Sequence, residues 1–243
     1  MKHFCSFLFI IPLLCVAQDK LDTKSGPVKI NPVTHGTMVL EFNGKTIYVD
    51  PYGGASGFSA FADPNLILIT DIHGDHLNKE TLAALNTSKS TFVVPQAVYD
   101  QLEESQKSNA KVLSNGSILD WEGISIQAVP MYNLPETDDS RHPKGRGNGY
   151  VLTMGDKKIY ISGDTEDIKE MRSLKGIDVA FVCMNLPYTM DINQAASAVL
   201  EFKPKVVYPY HYRGQGGLSD VDQFKKLVNT GDSKIEVRLA KWY

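Results

Sequence analysis

Residues 70–76 read Thr-Asp-Ile-His-Gly-Asp-His and follow directly on the unbroken apolar run Leu66-Ile67-Leu68-Ile69. A short apolar run bounded by polar residues is the pattern of a buried strand. Asn78, with Glu80 two residues later, is a helix-start signal. Four side chains able to hold a metal ion, Asp71, His73, Asp75 and His76, therefore crowd one strand-to-helix loop. Side chains alternate along an extended chain, so Asp71, His73 and Asp75 would project together if the loop stays extended. Imidazole and carboxylate suit zinc and related divalent ions. Solvation alone does not account for such a concentration of ligands. The chain has to bury a strand that ends in a polar site, which turns attention to its other strand ends.

Two of these also carry ligands. Asp164 follows the alternating run Lys158-Ile159-Tyr160-Ile161-Ser162, entered through a Gly155-Asp156 turn, and His211 follows Val206-Val207-Tyr208-Pro209. Ligands at the ends of buried strands are held rigidly, as a preformed site requires. Earlier, Asn43-Gly44 between Met38–Phe42 and Thr46–Val49 is a strong hairpin signal. Helices are predicted from Asn78, from about Gln96 to Gln106, from Asp191 and from Asp220 to Val228. Further strands are predicted near Thr91–Val94, Lys111–Leu113, Ile118–Trp121, Ile124–Val129, Val179–Cys183 and Lys234–Leu239. Hairpins and strand–helix alternation in both halves predict an α/β fold. Its architecture is an αβ/βα four-layer sandwich, two mixed β-sheets packed face to face with helices outside. No long linker divides the chain, so residues 18–243 are read as one domain, with the ligands at one edge of the sandwich.

With these segments in hand, the sequence resembles the metallo-β-lactamase-fold hydrolases, whose signature is His-x-His-x-Asp-His. Within them it is similar to the branch of the N-acylphosphatidylethanolamine phospholipase and the ascorbate-phosphate lactonase. The resemblance runs through Val49-Asp50-Pro51, the 71–76 loop, His142-Pro143-Lys144-Gly145, Gly163-Asp164-Thr165 and Tyr210-His211-Tyr212. It implies two divalent ions, zinc by default. One would be held by Asp71, His73 and His142, the other by Asp75, His76 and His211, with Asp164 bridging. It also places Asp50 beside the site. Asp71 departs from the pattern, which usually has histidine there, and as a harder ligand it makes manganese or iron competitors. Two divalent ions, three carboxylates and one hydroxide cancel in charge, whereas an imidazole at position 71 would leave one positive unit. A weaker Lewis acid is therefore expected, with an anionic substrate held by nearby cations. Lys144 and Arg146, among glycines after His142, and Arg213, beyond His211, are the candidate cations. His35, in strand-like Thr34-His35-Gly36, is a candidate substrate contact.

The chain opens with Lys2 and the apolar stretch Phe4–Leu14, then Cys15-Val16-Ala17. This is the pattern of a secretory signal peptide, residues 1–17, cleaved after Ala17. The stretch is shorter than the roughly 20 residues that span a bilayer. The expectation is an exported, periplasmic or secreted protein whose mature form has no transmembrane span. Losing Lys2 takes the formal net charge from −3 to −4. With no clustered Lys and Arg, nucleic acid is not an expected partner. Cys5 and Cys15 fall in the leader, so the mature chain keeps only Cys183, inside the apolar run Val179–Cys183. That is the setting of a packed thiol, and no intramolecular disulfide is available.

The predicted chemistry is metal-assisted hydrolysis, with a hydroxide generated between the two ions and oriented by Asp75, the expected catalytic residue. An ester, lactone, amide or phosphodiester bond fits, in a small-molecule or lipid-derived substrate. The rivals are a di-iron oxidoreductase, which would need an electron-delivering partner domain, and a non-catalytic metal-binding scaffold in which Asp71 has weakened the first site.

Overall fold

The computed structural model describes residues 19–137 and 139–243; the signal-peptide stretch lies outside them. The first sheet comprises β1 (Asp19–Leu21), β2 (Val28–Thr34), β3 (Thr37–Phe42), β4 (Lys45–Val49), β5 (Leu66–Leu68), β6 (Thr91–Val94) and β7 (Ala110–Val112), side by side in that order. The turn between β3 and β4 has both Asn43 and Gly44 at positive φ, 48° and 73°. Only a type I′ hairpin asks for that pair, and it is the turn whose twist matches the flanking strands. From β4 onward the pairing is parallel, β4 to β5 to β6 to β7.

The second sheet runs β8 (Ile118–Trp121), β9 (Ile124–Met131), β10 (Gly147–Met154), β11 (Lys157–Ile161), β12 (Val179–Cys183) and β13 (Val206–Tyr210). A small hairpin of β14 (Arg213–Gly214) and β15 (Gly217–Leu218) follows, and β16 (Glu236–Val237) completes the sheet beside β13. Both sheets are therefore mixed, antiparallel over one part and parallel over the other.

Strand alternation builds the layers. Met38, Leu40, Ile47, Val49, Leu66 and Leu68 face the second sheet in one large core with Ile126, Tyr150, Leu152, Ile159 and Ile161. Their neighbours Val39, Tyr48 and Ile67 point the other way, onto Phe58, Leu82, Val98 and Leu102. These belong to a 3-10 turn (Ala55–Phe58) and the short helices α1 (Lys79–Ala84), α2 (Gln96–Tyr99) and α3 (Glu104–Lys107) and their connections. The far face of the second sheet is covered by α4 (Lys169–Arg172), α5 (Ile192–Phe202) and α6 (Val221–Gly231). Four layers result, helices outside two sheets, as the sequence predicts. Asn78, Asp191 and Asp220 cap α1, α5 and α6 by accepting backbone N–H bonds.

Two expected elements are shorter than predicted. The helix expected from Gln96 to Gln106 is broken, because Glu103 starts a new one with a capping box to Gln106 while Leu102 turns into the core. The last strand is only Glu236–Val237. Glu236 and Arg238 donate to the carbonyls of Lys205 and Val207, but Pro209 has no N–H with which to extend the ladder.

Gly149 in β10 lies tight against the end of its neighbouring strand β11. A β-carbon there would stand 2.7 Å from the Ser162 carbonyl oxygen and 2.9 Å from that of Ile161. Backbone oxygens cannot rotate aside, so Gly149→Ala is expected to destabilise the fold by about 3 kcal/mol. Denaturant unfolding checks it, and an unchanged midpoint would contradict the packing.

Candidate metal centre

The loop after β5 does not stay extended. His76 and Leu77 both donate backbone N–H bonds to the His73 carbonyl, at 2.9 and 2.8 Å. This turn overrides simple alternation, so Asp71, His73 and Asp75 do not project together. Asp71 and His73 join His142 in one cluster. Asp75 turns to His35 and His211, and His76, Asp164 and His211 form a third, fully buried grouping. All seven ligand candidates are thus gathered at one edge of the sandwich.

The spacing within the gathering is informative. His73 Nδ1 is 2.9 Å and His142 Nε2 4.0 Å from Asp71 Oδ2, while His142 Nε2 is 3.2 Å from Asp164 Oδ2. On the other side, Nε2 of His76 and of His211 stand 3.3 Å apart. They lie 3.4 and 3.3 Å from the two Asp164 oxygens, and His211 Nε2 is 3.4 Å from Asp75 Oδ2. Donors about 2.0–2.1 Å from a tetrahedral ion stand roughly 3.3–3.4 Å from one another. The second half matches that spacing, the first brackets it at 2.9 to 4.0 Å, and Asp164 lies between them, with Oδ2 near His142 and His76 and Oδ1 near His211. Moreover, His142 Nε2 and Asp164 Oδ1 are buried with no hydrogen-bond partner among the described residues. Buried polar atoms without partners are rare and call for an explanation, and a pair of cations between these donors supplies one. The residues fit two divalent ions.

Surrounding groups aim the donors. Asp50, at the end of β4, accepts from His76 Nδ1 at 2.8 Å and from the Thr70 hydroxyl and N–H at 2.6 and 2.8 Å. A proton is thereby assigned to Nδ1, and Nε2 is the nitrogen turned to the cluster. Asn133 does the same for His142, whose Nδ1 donates to Asn133 Oδ1 at 3.1 Å. His35 Nε2 donates to Asp75 Oδ2 at 3.0 Å, and its Nδ1 accepts from the Tyr243 hydroxyl at 2.7 Å. His35, Asp50 and His211 all have positive φ, 54°, 45° and 46°. Such backbone costs on the order of 1–3 kcal/mol per residue and clusters where function over-determines the chain.

Electrostatics follow from the crowding. Burial would push the His76 imidazole down, but the Asp164 and Asp50 carboxylates outweigh it and raise it well above the ordinary value. Burial would likewise raise Asp164, yet His211 and His76 hold it well below the usual carboxylate range. Asp71 is brought to about 2 because hydrogen bonds from His73 and Arg146 overcome its burial. Asp75 also lies far below the usual range, His211 and His35 overriding its burial. Every carboxylate whose shift is resolved here is held ionised, ready for a cation.

The four candidate substrate contacts part company. Arg146 does reach the site, but its Nε and Nη2 are both engaged by Asp71. His35 reaches it through Asp75 and lies in a turn between β2 and β3, not in a strand. Lys144 is paired with Glu136 at 3.0 Å and Glu170 at 3.6 Å, and the Arg213 guanidinium lies 4.2 Å over the Tyr243 ring. Sequence reasoning missed Thr70, Asn133 and Tyr243. A threonine ending a wholly apolar run was a usable signal for the first; nothing local marks the other two.

Asp50→Asn is expected to weaken ion binding roughly 10–100-fold, since an amide nitrogen would face the donors of Thr70 or His76. Competition against a chelator measures it, and unchanged affinity would remove Asp50 from the site.

Comparisons with known proteins place the chain in a family. Residues 29–211 match a family model described as the beta-lactamase superfamily domain. A UPF0173 metal-dependent hydrolase of Pyrococcus horikoshii is 32% identical over 225 residues, covering 88% of this chain and 96% of its own. A crystal structure from Parabacteroides distasonis, of a protein whose name proposes metal-dependent hydrolysis, is 37% identical with a TM-score of 0.82, over 93% of this chain and 99% of that one. Igni18, a metallo hydrolase of Ignicoccus hospitalis, gives a TM-score of 0.75 at 25% identity, over 88% and 95% of the two chains. Matched over most of its length by family, relatives and fold, this chain belongs to the metallo-β-lactamase superfamily and is a metal-dependent hydrolase.

Proposed function

We propose that the chain is an exported hydrolase that works with two divalent ions, one between Asp71, His73 and His142 and one between Asp75, His76 and His211, sharing Asp164. The observation that carries this reading is the spacing of the donor atoms, with Asp164 placed between both halves. When bound, such a pair supplies an ionised water as nucleophile and polarises the carbonyl or phosphoryl oxygen under attack.

The chain's own groups then have separate tasks. Asp75 keeps a solvent-facing side, unlike the enclosed Asp71 and Asp164. Held ionised and fixed by His35, it accepts a hydrogen bond from the attacking water and orients it. Asp50 and Asn133 keep His76 and His142 in the tautomers that present Nε2. The scissile bond is an ester, lactone, amide or phosphodiester in a small or lipid-derived substrate. Zinc is the default ion for this donor set, with manganese or iron favoured to the extent that Asp71 hardens the first half. Export is supported by the Lys2, Phe4–Leu14 and Ala17 pattern. Intact mass of protein recovered outside the cytoplasm is expected to show cleavage after Ala17.

Elemental analysis of natively purified protein should find about two divalent ions per chain. A screen of generic esters, lactones, amides and phosphodiesters with that ion restored then names the bond. Less than one ion per chain would overturn the reading. An iron-loaded, coloured protein with redox but no hydrolytic turnover would favour the oxidoreductase instead, and a single weak ion with no turnover the scaffold.

A further inference from the structure

Arg146 comes from the loop before β10 and lays its guanidinium fork along Asp71, Nε to Oδ1 at 3.0 Å and Nη2 to Oδ2 at 2.8 Å. Asp71 is fully buried. The fork takes a lone pair from each oxygen, in the planar two-point geometry that guanidinium and carboxylate share. The remaining side of Oδ2 faces His73 Nδ1 at 2.9 Å and His142 Nε2 at 4.0 Å, into the first cluster. Two consequences follow. The fork decides which oxygen is presented to an ion, and it cancels the charge of a carboxylate that would otherwise be enclosed without a fixed counter-ion. Carboxylate and guanidinium together are neutral, the charge of an imidazole donor.

We propose that Asp71 and Arg146 act as one neutral ligand unit, with Arg146 a positioning residue that aims and balances the carboxylate and not a cation that binds substrate. The inference rests on the two-ion reading above. It predicts that the two positions are coupled in a particular sense. Histidine at position 71 would leave the guanidinium unpaired beside a dication, so a good zinc ligand would bind zinc worse until Arg146 is also removed.

Zinc ion alone is titrated calorimetrically into chelator-stripped wild type, Asp71→His, Arg146→Gln and the double variant. The equivalent left unchanged by these substitutions, assigned to Asp75, His76, His211 and Asp164, reports that each protein keeps its cluster. The other equivalent in Asp71→His is expected to bind roughly 10–100-fold less tightly than in wild type. In the double variant it should return to within about threefold of wild type. If histidine does not fit, Asp71→Asn with and without Arg146→Gln repeats the comparison in a near-isosteric side chain, with the double variant again the tighter. Wild-type affinity in Asp71→His, or a double variant no better than the single, overturns the inference. So does a KM increase in Arg146→Gln confined to the anionic member of a matched anionic and neutral substrate pair, which would make the arginine a substrate clamp. A wild type that takes fewer than two ions refutes the two-ion reading and this inference with it; a failed cycle in a wild type that takes two refutes only the pairing.

Discussion

Replacing His76 with alanine is expected to abolish hydrolysis, by at least roughly a thousandfold, or about 4 kcal/mol of transition-state stabilisation at 1.36 kcal/mol per tenfold. The side chain is fully buried, anchored by Asp50 on one nitrogen and directed at Asp164 and His211 with the other. No neighbour can move in to replace it, because the loop that carries it is pinned by the His73 carbonyl. The loss should appear as kcat and as one fewer bound ion, with the far-UV circular dichroism kept, since His76 lies between elements. His211→Ala attacks the same grouping from the second sheet and should behave alike. A fully active His76→Ala protein would rule out the proposed chemistry.

Stripping the ions is expected to make stability depend on pH in a sense opposite to that of ion uptake. In the ion-free protein the carboxylates beside His76 raise its pKa well above 6.5. A group raised in the folded state contributes stability that is complete below its unfolded value and fades as pH climbs through the folded one. Asp71, Asp75 and Asp164 are lowered from 3.8, so their contributions persist above that value and fade as pH falls through the folded ones. The stripped protein should therefore be most stable between roughly pH 4 and 6.5, weakening on the alkaline side. An ion needs His76 neutral, so its uptake displaces a proton and strengthens with pH. The gap in Tm between loaded and stripped protein should widen from about pH 6 to about pH 8. A gap that stays constant across that range would mean His76 is already neutral without the ion.

Much of the fold was legible because its signals are local. Asn43-Gly44 demands a hairpin whatever surrounds it, and Leu66–Leu68 reads as buried wherever it lies. Asn78, Asp191 and Asp220 announce helices through bonds to their own next residues. The failures are also local rules, overridden by stronger ones. Glu103 recapped a helix, and Pro209 cut the final ladder short. The turn at His73 sent Asp71 and Asp75 into different halves of the site, against the alternation expected of an extended loop.

The candidate ligands, their attachment to strand ends and the metal-dependent class of hydrolysis were legible in the sequence alone, because residue type and short-range spacing carry them. What each charged group is paired with was decided only by the tertiary structure. Arg146 and Asp71 are 75 positions apart, and His35 and Tyr243 are 208 apart. No periodicity spans such distances; only the packing of one sheet on the other brings them within reach. That is why Arg146 read as a cation awaiting substrate, when the folded chain gives it a carboxylate to hold.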